Sequence, residues 1–283
     1  MSEIKETMYK KNRLISYYCL KIIRMSTQLH IAILQSDLVW ENPVENRNNF
    51  TQKIAALKKE VDLVILPEMF TTGFSMNPKK LAEDMNGESV AWMQEIATKN
   101  DVAITGSIII KEENVYYNRL LFVHPDGNIE SYDKRHTFTL AGEDNVYAAG
   151  NVKVLVDYKG WKICPLICYD LRFPVWARNT NNYDLLIYVA NWPTPRINAW
   201  KTLLKARAIE NMSYCIGVNR VGIDANDYQY SGNSLAIDFL GEEMASVFEN
   251  KEQTIHVTLQ KELLLKTREK LQFLNDQDVF TIP

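Results

Sequence analysis

The sequence has little cysteine and little histidine, and this scarcity limits the kinds of site it can hold. Its 283 residues include only four cysteines (Cys19, Cys164, Cys168 and Cys215) and four isolated histidines. So few cysteines do not form the disulfide framework of a small secreted protein, and they are typical of a reducing compartment, so we expect a cytoplasmic protein. Cys164 and Cys168 are spaced as C-x3-C, but no second pair of cysteines or histidines accompanies them, and we expect no metal site.

The chain also lacks a strong excess of charge and a long apolar run. It has 32 basic and 35 acidic residues, for a net charge of −3, and its lysines and arginines are spread along the chain. This pattern argues against nucleic acid and against an anionic membrane surface as partners. No G-x-G-x-x-G or Walker sequence follows a predicted strand, so a doubly wound fold with a nucleotide site has no support.

The first 24 residues differ from the rest in composition. The stretch "MSEIKETMYKKNRLISYYCLKIIR" is basic, and its apolar piece, Leu14 to Ile23, is short and is interrupted by Lys21. It is too charged and too short for a signal peptide core or a membrane span. We predict that residues 1–24 are an N-terminal extension or a misassigned start, with Met25 as a second start, and that residues 25–283 form one domain.

Strand-like and helix-like segments alternate from His30 onward, and 46% of the residues are hydrophobic, which is ordinary for a globular domain. The predicted strands include 30–36, 61–70, 101–110, 115–124, 184–192 and 242–249, with a hairpin turn at Tyr158–Gly160. The predicted helices are 42–60, 81–100, 197–212 and 261–276, and a further helix begins at 173. This alternation predicts a single α/β domain whose sheets are covered by helices.

Three polar residues follow predicted strands: Glu68, Lys134 and Cys168. Each by itself has an ordinary interpretation, as a solvated acid, a surface lysine and a buried core cysteine. In α/β folds, however, loops at the ends of strands converge on one crevice, so the three side chains are candidates for a single site. Together they have the chemistry of a thiol hydrolase, because a nearby base can take the proton of a thiol and make it a nucleophile.

The roles in such a site follow from the residue types. Glu68 would accept the thiol proton and return it to a leaving ammonia. Lys134 and the backbone N–H of Tyr169 would stabilise the oxyanion of the tetrahedral intermediate. A tight turn from strand to helix at Cys168 would expose its sulfur to a pocket.

Four stretches, taken in order, resemble the nitrilase superfamily of carbon–nitrogen hydrolases, and most of all its omega-amidase branch. They are "LPEMFTTGF" (66–74), "YDKRHTF" (132–138), "ICYDLRFPVWAR" (167–178) and "ANWP" (190–193). The resemblance implies a four-layer α-β-β-α sandwich, a homodimer formed through helices, and catalysis by Glu68, Lys134 and Cys168 without a cofactor. It also implies a small amide substrate with a carboxylate, such as 2-oxoglutaramate or 2-oxosuccinamate.

The resemblance further implies a second catalytic glutamate in the loop after the lysine. Glu143 in "LAGEDNVYAAG" is the best match, although Asp144 is adjacent, and this acid would orient Lys134 or polarise the incoming water. His136 has no expected role, because only its closeness to Lys134 in the sequence distinguishes it.

The substrate-binding residues are also expectations from the resemblance. Arg172 is the candidate for binding the substrate carboxylate, since guanidinium binds carboxylates bidentately, but it could instead pair with Asp170 or Glu68. Phe74 and Thr194 are candidate pocket walls. Asn191 is expected either to line the site or to cap a strand end.

Other functions stay open at this point. An N-carbamoyl-amine hydrolase or an aliphatic amide hydrolase would use the same catalytic residues. A protein of another class, which binds a metabolite on this scaffold without turnover, is disfavoured because all three reactive residues are present.

Overall fold

The computed structural model describes residues 27–57, 60–245 and 248–282, so the predicted extension over 1–24 lies outside the described residues. The strands, in chain order, are β1 (Gln28–Gln35), β2 (Leu63–Ile65), β3 (Ala103–Glu112), β4 (Val115–Val123), β5 (Ile129–Asp133), β6 (Val156–Tyr158), β7 (Trp161–Ile167), β8 (Leu185–Ala190), β9 (Tyr214–Asn219), β10 (Val221–Ile223), β11 (Gln229–Ser231), β12 (Leu235–Ile237) and β13 (Gln253–Gln260). The α-helices are α1 (Pro43–Ala55), α2 (Pro78–Leu81), α3 (Glu88–Asn100), α4 (Pro174–Ala177), α5 (Ile197–Asn211) and α6 (Lys261–Leu271).

The strands form two large sheets and one small hairpin. One sheet has the order β13-β1-β2-β3-β4-β5, the other has the order β12-β9-β8-β7-β6, and β10 pairs with β11. The centre of each large sheet is parallel, β1-β2-β3 in the first and β7-β8-β9 in the second, with antiparallel strands at the edges. The parallel centres are buried on both faces, as is typical of sheets that are covered on both sides.

The register of β1 and β2 shows how the layers are stacked. Ile31 pairs with Leu63, and both belong to the core that joins the two sheets. The neighbouring residues Ala32 and Val64 are also a pair, but they pack on the opposite face with Phe50 of α1. Because side chains alternate along a strand, one apolar run supplies both the inter-sheet core and the helix-facing core.

Helices complete the outer layers. Val90, Met93 and Ile96 of α3 share the core on the outer face of the first sheet. On the outside of the second sheet, Leu204 and Trp200 of α5 lie directly against Gly217 of β9, where there is no room for a Cβ. The architecture is therefore the predicted α-β-β-α sandwich. None of the helices in the described residues combines the length and the apolar composition needed to cross a bilayer.

Several predicted elements are longer in the sequence pattern than in the fold, among them the helices predicted over 42–60 and 261–276, which end at Ala55 and Leu271. The strand predicted over 61–70 pairs only at Leu63–Ile65, because Pro67 has no N–H for a ladder and the chain turns at Met69, whose φ is +43°. The helix predicted over 81–100 begins at Glu88. The backbone of Glu83, ahead of it, is instead hydrogen-bonded to the edge of β3.

Other segments also differ from the prediction. The helix predicted from 173 is limited to Pro174–Ala177. In the described part of the predicted strand 242–249, only an isolated bridge between Ile237 and Glu243 occurs, after the chain turns at Gly241. The strand predicted over 213–222 overlaps β10, whereas β11 has no counterpart in the predicted elements.

The hairpin turn predicted at Tyr158–Gly160 is confirmed. Tyr158 pairs with Trp161, and the two residues between them, Lys159 and Gly160, have φ of +48° and +81°. Positive φ at both central positions matches the right-handed twist of the flanking strands.

The packing of α5 on the second sheet predicts a large effect of truncation at Leu204, which is fully buried. We expect Leu204→Ala to lower the free energy of unfolding by about 2–5 kcal/mol, because lost burial and the residual cavity add. Leu263→Ala, at a leucine that is 54% exposed, is the control and should change it by less than about 0.5 kcal/mol. Urea denaturation measures both, and equal losses would contradict the assignment of Leu204 to the core.

Candidate active site

Four strands end at the same place and position the candidate side chains. Lys134 directly follows β5 and Cys168 directly follows β7, while Asn191 directly follows β8. Glu68 lies three residues beyond β2, in the turn that Met69 completes. Since β2 and β5 belong to one sheet and β7 and β8 to the other, the site lies where the two sheets converge.

Lys134 is a buried cation held between two buried carboxylates. Its Nζ lies 2.8 Å from Oε1 of Glu68 and 2.9 Å from Oε2 of Glu143, and the exposed fractions of the three side chains are 1%, 0% and 0%. A charge buried this deeply would cost several kcal/mol if it were unpaired, so each group depends on the others.

Two asparagines fix the carboxylate of Glu68. Asn118 Nδ2 donates to Glu68 Oε1 at 2.8 Å and lies 3.3 Å from Glu143 Oε1. The backbone N–H of Asn191 donates to Glu68 Oε2 at 2.9 Å, and its side-chain amide donates to the Glu68 carbonyl at 2.7 Å. Both oxygens of Glu68 are therefore oriented by protein donors, and one of them also contacts Lys134.

The structure distinguishes Glu143 from its neighbour. Glu143 is fully buried, contacts Lys134 with both carboxylate oxygens and accepts a hydrogen bond from the backbone N–H of Phe138. Asp144 is exposed. Of the two acids, Glu143 is thus the one that lies beside Lys134.

Cys168 lies at a sharp turn between β7 and a short 3-10 helix, Cys168–Arg172. Its φ of +42° is in the left-handed region, which costs a non-glycine residue on the order of 1–3 kcal/mol. The buried carboxylate of Asp170 braces this turn, since it accepts hydrogen bonds from the N–H of Ile167 at 3.0 Å and from the hydroxyl of Tyr132 at 2.7 Å. The strained turn exposes 9% of Cys168.

His136 belongs to the same brace. Its backbone N–H and its Nδ1 both lie within hydrogen-bond distance of Asp170 Oδ1, at 3.0 and 2.7 Å, and its ring stacks on Phe173 with centroids 3.7 Å apart. The imidazole therefore supports the turn at Cys168 and does not approach the sulfur as a base.

The charges of the site hold the thiol in its neutral form. Burial raises the pKa of Cys168 well above its usual value, and the charge of Glu68 and its hydrogen bond with the thiol add to the rise, while Lys134 opposes it. Burial also raises the pKa of Glu143, against the attraction of Lys134. Burial alone would lower the pKa of Lys134, but the carboxylates of Glu143 and Glu68 outweigh it and the pKa is raised.

A cavity of about 600 Å³ opens in front of these groups. Lys134, Cys168 and Tyr169 lie in its wall, and so do the predicted substrate-binding residues Phe74, Asn191 and Arg172. This volume is ordinary for a small-molecule site.

Thr194 is placed differently from the other predicted substrate contacts. It is not among the residues that line the cavity, and its hydroxyl oxygen is buried with no hydrogen-bond partner in the described residues. Arg172 does line the cavity, and it pairs with neither Asp170 nor Glu68. Its guanidinium lies 5.1 Å from the ring centre of Trp192.

Sequence reasoning missed Asn118, Asp170 as the brace of the turn, and Arg196 in the cavity wall. The signal for Asn118 was present, since an amide in the middle of the apolar strand β4 must find a buried partner. For Asp170 the signal was an acid two residues after Cys168. The described residues contain no group of three or more His, Cys, Asp or Glu side chains arranged to hold a metal ion.

The family profile for carbon-nitrogen hydrolases matches residues 21–269. The chain belongs to this family. The carbon-nitrogen hydrolase profile thus covers all four strand ends described above.

Named relatives extend over most of the chain. It is 43% identical over 258 residues to omega-amidase YafV of Yersinia enterocolitica, covering 91% of this chain and 100% of the relative. It is 35% identical over 220 residues to 2-oxoglutaramate amidase of Bacillus subtilis, covering 76% and 85%. The crystal structure of XC1258 from Xanthomonas campestris, a CN-hydrolase superfamily protein with an arsenic adduct in its active site, is similar with a TM-score of 0.88 and 42% identity, covering 90% and 99%. These similarities confirm the nitrilase superfamily and its fold.

The charge balance of the site predicts how the Cys168 thiol titrates. Because the carboxylate of Glu143 contributes to the raised pKa of the thiol, we expect Glu143→Gln to lower that pKa. Thiolate would then form at a lower pH than in the wild type. The pH dependence of Cys168 alkylation by iodoacetamide, followed by mass spectrometry, measures the shift.

The matched control for this experiment is Asp144→Asn, which removes the same charge from an exposed neighbour. It should leave the alkylation profile unchanged, because solvent screens exposed charges. Identical profiles for the two variants would contradict the placement of Glu143 beside the reactive groups.

Proposed function

We propose that this chain is an omega-amidase, a cysteine-dependent amidase that hydrolyses a small carboxylate-bearing amide, of the 2-oxoglutaramate or 2-oxosuccinamate kind, to the acid and ammonia. The observation that carries the proposal is the buried Glu68–Lys134–Glu143 cluster, whose Lys134 lies with Cys168 in the wall of the cavity. The names of the relatives, omega-amidase and 2-oxoglutaramate amidase, support the substrate class.

In the first step, Glu68 takes the thiol proton as the sulfur of Cys168 attacks the amide carbon. The thiol is neutral at rest because its pKa is raised, so proton transfer and attack are coupled, as in general base catalysis. The carbonyl oxygen gains the negative charge. Lys134 and the backbone N–H of Tyr169, which stands in the first turn of a 3-10 helix where N–H groups have no intrahelical partner, stabilise that oxyanion.

In the second step the C–N bond breaks, and protonated Glu68 gives its proton to the departing nitrogen. Ammonia leaves and an acyl-thioester with Cys168 remains. Water then attacks the thioester carbon while Glu68 accepts its proton. The C–S bond breaks, Glu68 returns that proton to the sulfur, and the free acid and the thiol are restored.

Glu143 acts through Lys134 in this proposal. Its two oxygens lie 3.0 and 2.9 Å from Nζ, and the N–H of Phe138 fixes the carboxylate. These contacts favour the orienting role over direct activation of water. In the cavity wall, we assign Arg172 to the distal carboxylate of the substrate, with Phe74 and Asn191 as further wall residues.

The homodimer and the cytoplasmic location remain part of the proposal. Val175 of α4 and Ile209 of α5 are 54% and 47% exposed. We propose that the homodimer forms through these helices. Light scattering coupled to size-exclusion chromatography measures the molecular mass in solution.

The proposed mechanism predicts that Cys168→Ala loses turnover without unfolding. We expect ammonia release from 2-oxoglutaramate to fall by about 10³-fold or more, because the covalent route is removed. Circular dichroism should be unchanged. The matched control is Cys215→Ala, at a buried cysteine of β9 outside the cavity, which should keep its activity.

A substrate panel separates the alternatives. Wild-type protein is compared on 2-oxoglutaramate, simple aliphatic amides, N-carbamoyl amines and nitriles, and hydroxylamine should intercept the acyl-thioester as a hydroxamate. Preference for a carbamoyl amine or a nitrile would overturn the omega-amidase assignment. Ligand binding with no turnover of any compound would favour the metabolite-binding alternative.

A further inference from the structure

Two arginines in the cavity wall, Arg172 and Arg196, have guanidinium groups with no acceptor. Within residues 27–57, 60–245 and 248–282, neither guanidinium has a hydrogen bond or an ion pair, and each contacts only an aromatic ring. Every other arginine in those ranges donates to a carboxylate or carbonyl oxygen: Arg47, Arg119, Arg135, Arg178, Arg207, Arg220 and Arg268. The two arginine side chains without an acceptor thus both lie in the cavity wall.

Aromatic side chains tie both arginines to one wall. The guanidinium of Arg196 lies 5.2 Å from the ring centre of Phe138, and that of Arg172 lies 5.1 Å from the ring centre of Trp192. Trp192 Nε1 donates to the Arg196 carbonyl at 2.8 Å. The ring of Phe138 lies 4.9 Å from the ring of Tyr169, the residue after the nucleophile. A guanidinium seated on a ring keeps the N–H groups at its edge available for a ligand.

The acids of the cavity wall, Glu41 and Asp224, form no ion pair with either arginine and are bound to other donors. Glu41 accepts hydrogen bonds from Ser75 and from Lys80. Asp224 accepts from the hydroxyl of Tyr230 and from backbone N–H groups of its own turn. The wall formed by Arg172 and Arg196 therefore presents positive charge and donors only.

We propose that Arg196 is a specificity-determining residue, and that with Arg172 it forms a two-guanidinium clamp for the distal end of the amide. The inference rests on the proposed function and deepens it. A 2-oxo acid offers two oxygen acceptors there, the carboxylate and the adjacent oxo group, so one guanidinium binds each. A 2-amino acid amide carries an ammonium in place of the oxo group, and two guanidinium groups repel it and leave one of their donors unsatisfied.

The clamp is tested with Arg196→Gln and Arg196→Lys on four amides. These are 2-oxoglutaramate, glutaramate (which lacks the oxo group), glutamine and neutral pentanamide. For Arg196→Gln we expect kcat/KM for 2-oxoglutaramate to fall about 10- to 100-fold, mainly through KM, because a hydrogen bond to a charged group is lost. The value for pentanamide should stay nearly constant, and the preference for 2-oxoglutaramate over glutamine should narrow. The kcat/KM of Arg196→Lys for 2-oxoglutaramate should lie between the values of the wild type and Arg196→Gln. Lysine keeps the positive charge but lacks the planar guanidinium with its paired donors.

Two further measurements make the outcome decisive. Lys270→Gln removes the same charge from an exposed position on α6 and should change none of the four values. Calorimetry of wild type and Arg196→Gln with 2-oxoglutarate, which has no amide to hydrolyse, measures the clamp without turnover, and we expect at least about tenfold weaker binding by the variant. Equal loss on all four amides, equal binding of 2-oxoglutarate by both proteins, or no binding by the wild type would overturn the clamp. A wild type that binds 2-oxoglutarate through Arg196 but releases no ammonia from 2-oxoglutaramate would overturn the proposed function alone.

Discussion

The buried ammonium of Lys134 between the carboxylates of Glu68 and Glu143 is the constraint on which the site depends. One cation and two anions leave one excess negative charge in a region with almost no water. Burial and this excess charge together favour the neutral thiol over the thiolate at Cys168, because a further negative charge in the same place would be unfavourable. In the proposed function the sulfur attacks only when a substrate carbonyl can receive the charge and Glu68 takes the proton.

The two-sheet architecture brings these groups together. Glu68 and Lys134 come from the first sheet and Cys168 from the second, so no single sheet contains the site. The core between the sheets fixes their separation, and interiors packed at this density transmit small displacements. Asp170 holds the strained turn at Cys168 by hydrogen bonds to the end of β7 and to Tyr132 of β5, which again links one sheet to the other.

The cavity wall contains two kinds of charged group. Lys134, beside the buried carboxylates of Glu68 and Glu143, lies in this wall together with Cys168. Arg172 and Arg196 lie in the same wall with their guanidinium groups on aromatic rings. In the proposed function the first group serves the chemistry common to all amides, and the two arginines serve the selection among amides.

Much of this could be predicted from the sequence, since the motifs around Glu68, Lys134 and Cys168 identified the superfamily, and local turn chemistry identified the hairpin at Lys159–Gly160. The features that the sequence could not predict depend on contacts between residues that are far apart in the chain. The sequence does not distinguish Glu143 from the adjacent Asp144. Only the folded structure shows that Glu143 is buried beside Lys134 and that Asp144 is exposed. The ladder of the apolar run 61–70 ends after Ile65 because Pro67 has no N–H to donate and the chain turns at Met69, so apolar composition alone did not set the length of the strand. By itself the sequence determined the residue types and their order; the tertiary structure decided which charges share a buried space, because electrostatic coupling depends on distance and burial, which sequence separation does not encode.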